Sequence, residues 1–298
     1  MPNIIPFNGV RYNKTIDINT VICPPYDIIT FEDKKRFVAQ NEYNIVSLEK
    51  PEISENGYKG AAALLKEWLD KGILVADEKK SIYIYEMEYN LGDKVKKIKG
   101  YLPLVELSDF SEGKVLPHEK TFDDAKKDRF DLMSETFCNF SCGYALYDSA
   151  ENEVLEKYSA DTPLYEVKSD GVINRLWAVT DEDAIKSLQE FFAEQVLYIA
   201  DGHHRYTTAV KFKEAHPECC GAGYMMLFLV NMKCDGLTVF PGKDKSDDPS
   251  KTDFLLSELK RVTSIGEVMP QKSTYFYPKP ITGLVINDFN LLCENSCR

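Results

Sequence analysis

The chain is short of positive charge, of histidine and of long apolar runs. Its 298 residues hold 36 Lys and Arg against 48 Asp and Glu, a formal net charge of −12. Such a surface works against the phosphate neutralisation on which nucleic-acid binding depends, so no nucleic-acid partner is expected. The strongest apolar run, residues 225–230, is far too short to cross a bilayer, and the first ten residues lack the basic flank and apolar stretch of a targeting signal. No membrane partner is expected, and the chain reads as cytoplasmic. The eight cysteines form no C-x-x-C pair, Cys138 and Cys142 being separated by three residues, as are Cys293 and Cys297. That spacing argues against a zinc site, and without a secretion signal the thiols are expected to be reduced. G-x-G-x-x-G, G-x-x-x-x-G-K-[ST] and G-x-S-x-G are all missing, which removes a dinucleotide-binding turn, a P-loop and a nucleophile elbow.

An apolar content of 44% and a charged content of 28% fit a globular enzyme or binding protein. Cys23-Pro24-Pro25-Tyr26-Asp27 reads as a rigid turn, because each proline removes a donor and pushes its predecessor toward extended geometry, and Thr30 then caps a helix starting at Phe31. Helical spacing covers residues 58–69, with Gly72 as the stop before a strand-like run at 73–75. Residues 82–89 and 95–107 form a hairpin about the turn 90–93, and a polar loop follows at 116–121. Next come a helix over 124–135, strands near 143–147, 164–168 and 175–179, and a helix over 181–193 capped by Thr180. Residues 224–232 are the continuous apolar run of a strand buried on both faces. Residues 242–252 read as a polar linker, and 273–287 as a strand pair interrupted by Pro278 and Pro280.

The most informative string is Asp201-Gly202-His203-His204-Arg205-Tyr206. It follows a strand-like run at 196–200 and opens a helical run at 206–213. A strand that turns through glycine into a helix presents backbone N–H groups and the positive end of the helix dipole, which is a site for phosphate. In an acidic protein any anion must be captured by such a local site, and magnesium would help by screening it. Three of the four histidines, His118, His203 and His204, sit in this string and in Leu116-Pro117-His118-Glu119-Lys120-Thr121. His216, beside Pro217, reads as an ordinary helix-end residue.

Phosphoryl transfer needs donors for the nucleotide phosphates, a metal, and a group that positions or deprotonates the attacking hydroxyl. The turn from Asp201 through Gly202, His203, Arg205 and Tyr206 to Thr207 supplies the phosphate cradle. Glu119 and Asp27 are candidates for base or metal ligand, while Lys120, Arg129 and Arg205 can neutralise developing charge. Against this, Asp27 also suits a turn cap, Glu119 a surface acid, Arg129 a solvated helix face and Thr121 a helix cap.

Five strings, CPPYDI (23–28), VLPHEKT (115–121), KDRFDL (127–132), ADGHHRYTTA (200–209) and KSTYFYPKPITGLV (272–285), together resemble the domain-of-unknown-function family ten-fifteen over nearly the whole chain. The DGHHR turn is also similar to the phosphate-binding turn of the ParB and sulfiredoxin-like superfamily, which includes nucleotide-dependent kinases acting on free serine. That similarity implies that Asp201, Gly202, His203, His204 and Arg205 hold nucleotide phosphate and metal, with Asp201 as the ligand to Mg2+; Glu119, as the base, His204 and Asp201 are the expected catalytic residues. Asp27, His118, Lys120, Thr121 and Arg129 would then meet the substrate. The family is expected to carry a further helical section after Val239-Phe240-Pro241, where this chain runs into the polar linker. A shortened variant with altered or lost activity is one consequence.

The expected fold is α/β (α+β), a mixed β-sheet with flanking helices and a ParB/sulfiredoxin-like core around the DGHHR turn. Residues 1–241 are expected to form one catalytic-type domain, with 253–298 packing back on it. The expected function is a kinase that uses ATP or ADP with Mg2+ to phosphorylate the hydroxyl of a small metabolite, possibly free serine. The alternative is a non-catalytic ATP- or CTP-binding switch.

Overall fold

The computed structural model describes residues 2–52, 58–118, 123–149, 153–241 and 274–296. The first strands are β1 (Ile4–Ile5), β2 (Val10–Tyr12), β3 (Leu74–Ala76), β4 (Ile82–Leu91), β5 (Lys94–Leu102), β6 (Leu104–Glu106) and β7 (Val115–Leu116). After them come β8 (Cys138–Asn139), β9 (Gly143–Tyr147), β10 (Tyr165–Ser169), β11 (Val172–Val179), β12 (Leu197–Asp201), β13 (Tyr224–Asn231), β14 (Thr238–Pro241), β15 (Thr274–Tyr277) and β16 (Asn287–Asp288). The helices are α1 (Phe31–Gln40), α2 (Val46–Glu49), α3 (Lys59–Asp70), α4 (Asp123–Thr136), α5 (Glu153–Tyr158), α6 (Glu182–Ala193), α7 (His203–Ala215) and a last one at Phe289–Ser296.

Ten strands join in one mixed sheet. Its main path runs β10, β11, β4, β5, β13, β9, β12, β7, and β6 links β1 to β13. The β4–β5 hairpin turns at Gly92, whose φ of +60° suits a residue without a Cβ, and Leu91 pairs with Lys94. Among the described residues, parallel pairing is confined to β13 with β9 and β12 with β7. β13 is the buried spine anticipated from its apolar run. Met226, Phe228 and Val230 enter one core with Tyr85, Tyr144 and Phe276. Met225, Leu227 and Leu229, one residue out of step, enter the opposite core with Leu188 and Phe192 of α6 and with Ala209 and Phe212 of α7. A third core gathers Val21, Cys23, Val46, Leu48, Trp68 and Phe140 beside the sheet.

Several boundaries differ from the sequence reading, each for a local reason. The strand expected over 95–107 divides at Pro103, which cannot donate to the ladder. β11 starts at Val172 because Asp170 and Gly171, at φ of +49° and +80°, form a tight hairpin turn after β10. Asp181, not Thr180, caps α6, accepting from Ala184 N at 2.9 Å. The tail gives one four-residue strand, β15, paired with β14, before Pro278 and Pro280 end the ladder. Thr30 does cap α1, through a reciprocal capping box with Asp33. The linker expected over 242–252 lies outside the described residues.

Candidate functional site

The site grows from the carboxyl end of β12. Asp201 is the last residue of that strand and pairs with Tyr144 of β9 after a one-residue register shift that follows Ile199. Gly202 follows at φ +91° and starts α7. A Cβ there would lie 3.0 Å from Arg205 Nε and 3.2 Å from Gly143 Cα. The turn therefore requires glycine twice over, for its left-handed backbone and for the approach of the neighbouring strand. α7 begins at His203, three residues before the expected start, so both histidines and Arg205 lie in its first turn. Their amides point from the positive end of the helix dipole.

Arg205 folds back over this turn. Its Nη1 donates to the Cys142 carbonyl at 2.7 Å and its Nη2 to Asp201 Oδ2 at 2.5 Å. Lys279, from the tail, donates from Nζ to Asp201 Oδ1 at 2.9 Å and to Asp27 Oδ2 at 3.1 Å. The result is an alternating row of charge, Asp27, Lys279, Asp201, Arg205, in which the Asp201 and Lys279 side chains are only 20% and 19% exposed. Burial pushes the Asp201 carboxyl upward, but Arg205 and Lys279 outweigh it and hold its pKa below the ordinary aspartate range. Burial also opposes the charges of Arg205 and Lys279, and Asp201 and Asp27 offset it, leaving both cations more basic than usual.

A second set of charges sits under the first. Arg129, a candidate substrate contact whose alternative was a solvated helix face, is buried at 6% exposed. Its guanidinium lies 4.0 Å from the Tyr26 ring centroid, and it donates to the Glu49 carbonyl and to Asp128 Oδ2, each at 2.7 Å. The Glu49 carboxylate, 2% exposed, accepts from Ser141 Oγ at 2.8 Å. Burial raises its pKa against the pull of Arg129. A void of about 20 Å³, large enough for one water, touches Glu49, Arg129, Ser141 and Arg205.

His118 and His203 bring the two histidine-bearing strings together. His118 is buried, and its Nδ1 lies 2.6 Å from the Ile199 carbonyl, an acceptor, so Nδ1 carries the proton. The His118 backbone N–H donates to His203 Nε2 at 3.2 Å, which fixes the His203 proton on Nδ1. The two rings meet edge to face at 4.5 Å. His204 is half-buried and, one residue on, points about 100° around the helix from His203.

Two expected phosphate ligands are placed elsewhere. The Tyr206 side chain runs into the opposite core, where its hydroxyl donates to Ser108 O at 3.0 Å and accepts from Ser108 N at 3.1 Å, and its ring stacks on Phe110. The Thr207 hydroxyl is spent on the His203 carbonyl within its own helix. Glu119, Lys120 and Thr121 lie outside the described residues. The structure thus gathers Asp27, His118, Arg129, Asp201, Gly202, His203 and Arg205 in one region. It adds Lys279, Glu49, Ser141 and Tyr26, which the sequence reading did not single out. Lys279 stood inside a quoted string, KSTYFYPKPITGLV, and could have been taken from it; Glu49 carried no signal.

A cavity of about 370 Å³ shares Lys279 with the charged row. Pro24, Pro25, Ile28, Val172, Phe276, Tyr277 and Ile281 give it an apolar wall, and Ser169 and Asp170 add polar atoms. Among the described residues no three His, Cys, Asp or Glu side chains are grouped to hold a metal ion, and Asp201 gives both its oxygens to cations. Cys142 is no nucleophile here, since burial pushes its thiol up to about 12 and keeps it protonated. Among the described residues no helix is long and apolar enough to cross a membrane.

Fold and site together define a mixed α/β protein with a strand–glycine–helix corner set among buried ion pairs. A family model described as "Protein of unknown function (DUF1015)" matches residues 4–276, and the chain belongs to that family. No curated protein and no solved structure matches it.

Proposed function

We propose that this protein is a nucleotide-dependent phosphotransferase acting on the hydroxyl of a small metabolite, free serine being the first to test. In this reading the corner at Gly202 belongs to a ParB/sulfiredoxin-like core, and the protein works in the cytoplasm on freely diffusing substrates. The observation that carries it is the opening of α7 at Gly202, with Arg205 and Lys279 on either side of Asp201. Helix amides and two cations in one place suit a polyphosphate.

The terminal phosphoryl group would sit against the first turn of α7, with Lys279 leaving its carboxylates to meet phosphate oxygens. The acceptor hydroxyl gives its proton to a carboxylate, Glu119 by its place next to His118. Its oxygen then bonds to phosphorus as the bond to the bridging oxygen breaks. His203, fixed as an Nδ1 donor, orients an oxygen and does not take the proton. A magnesium ion arriving with the nucleotide would neutralise phosphate charge, with Asp201 or Asp27 as its protein contact once Lys279 has moved. Incubation with serine, Mg2+ and ATP or ADP should yield phosphoserine. No product across a panel of hydroxylated metabolites overturns the reading.

The double pairing of Lys279 favours a second reading, a switch that binds ATP or CTP without transferring phosphate. A phosphate that draws Lys279 from Asp27 and Asp201 would shift the tail that carries it. Tight nucleotide binding with no acceptor-dependent product distinguishes the switch from the kinase.

A further inference from the structure

We propose that the 370 Å³ cavity beside Lys279 is a base pocket, built for a planar heteroaromatic ring that carries an amino group and is joined to an anionic tail, as in an adenine nucleotide. The inference rests on the phosphate site proposed above and names what lies next to it. Its size falls within the range of small-molecule pockets, roughly 300–1,000 Å³. Its chemistry is divided in the way such a ligand is divided.

The wall contains Pro24, Pro25, Ile28, Phe276, Tyr277 and Ile281, flat or apolar groups against which a ring can stack. Ile28, at 52% exposed, leaves large apolar area in water at the mouth. Lys279 belongs both to this wall and to the charged row, so a ring in the cavity has its substituent led toward Asp201 and Gly202. Asn174 also lines the space, but its amide is spent inside the protein, with Oδ1 accepting from Tyr85 Oη at 2.5 Å and Nδ2 donating to Val172 O at 3.2 Å. It forms wall and takes no part in reading the ligand. Polar recognition therefore falls to Ser169 and the exposed Asp170 in the β10–β11 turn. A carboxylate there accepts from an amino group and repels a ring carbonyl. An amino-bearing ring follows from that acceptor, and a nucleoside from the cavity's size.

The test is calorimetric titration of the full chain with ATP, adenosine, inorganic tripolyphosphate and ITP, repeated on Ile28→Trp and Asp170→Gly. Trp at an exposed rim position fills the cavity without entering the core, and Gly tolerates the positive φ of residue 170. ATP should bind at least about tenfold more tightly than tripolyphosphate, and Ile28→Trp should erase that difference without touching tripolyphosphate binding. ATP should also be preferred over ITP by about tenfold, and Asp170→Gly should remove the preference. ATP binding indifferent to Ile28→Trp overturns the pocket and leaves the phosphate site standing. Adenosine binding lost in Ile28→Trp, with no tripolyphosphate binding, sustains the pocket and overturns the phosphate site. Failure of all the ligands to bind overturns both.

Discussion

Replacing Asp201 with Asn is the sharpest probe of the charged corner. Asn keeps the shape and one acceptor but removes the charge that faces Arg205 at 2.5 Å and Lys279 at 2.9 Å. Arg205 is 8% exposed and remains behind as an uncompensated buried cation. Breaking a fully enclosed pair in this way costs about 3–5 kcal/mol. The Asp201 side chain keeps 20% of its surface in water, and Asp27 also acts on Arg205, so the low end applies, about 3 kcal/mol. At about 2–4 °C per kcal/mol for a chain of this size, thermal unfolding followed by circular dichroism at neutral pH should show Tm lower by roughly 6–12 °C. The pH profile gives an independent check. Asp201 has a folded pKa below its unfolded one, so its stabilisation is fully present above the ordinary aspartate range and is lost as pH falls through the folded value. The gap between wild type and Asp201→Asn should narrow below about pH 4. A variant within about 2 °C of wild type, with no pH dependence in the difference, refutes the assignment of Asp201 as the anchor of both cations.

Gly202→Ala should cost about 1–3 kcal/mol in urea denaturation, because φ +91° is strained for any other residue and the new Cβ meets Arg205 Nε at 3.0 Å, and it should also weaken ATP binding. Tyr206→Phe should cost about 1–3 kcal/mol by leaving the buried Ser108 N–H and C=O without the phenol, yet leave nucleotide affinity measured by calorimetry unchanged. Glu49 has the opposite sign from Asp201: its raised folded pKa means that its contribution is present at low pH and lost as pH rises through that value. Glu49→Gln keeps the acceptor for Ser141 without that loss, so the variant's Tm should gain on wild type as pH rises above about 4.

The fold was legible where one short-range pattern decided it. The unbroken apolar run became the central strand β13, the Thr30 capping signal became the start of α1, and the glycine after β12 became the turn at the site. The site was legible in part for the same reason, since His118, Asp201, Gly202, His203 and Arg205 declare themselves by clustering in two short strings. Local sequence does not say which helix face is covered, so it left Arg129 open between the site and a solvated face and set Tyr206 among the phosphate contacts. A charge-rich helix hid a buried arginine, and a tyrosine in the motif turned to a core contact 98 residues away at Ser108. Glu49 could not be found at all, because its role comes from Ser141 and Arg129, 92 and 80 residues further along the chain.

The bridge from Asp27 to Lys279 spans 252 residues. A nascent chain can settle its hairpins and helices as they emerge, but it cannot close this corner until the ribosome has released residue 279. Until then no ammonium lies between Asp27 and Asp201, and Asp201 has Arg205 alone as its counter-ion. The corner's full set of ion pairs therefore forms late, once the tail that carries Lys279 has docked beside Asp27 and Asp201.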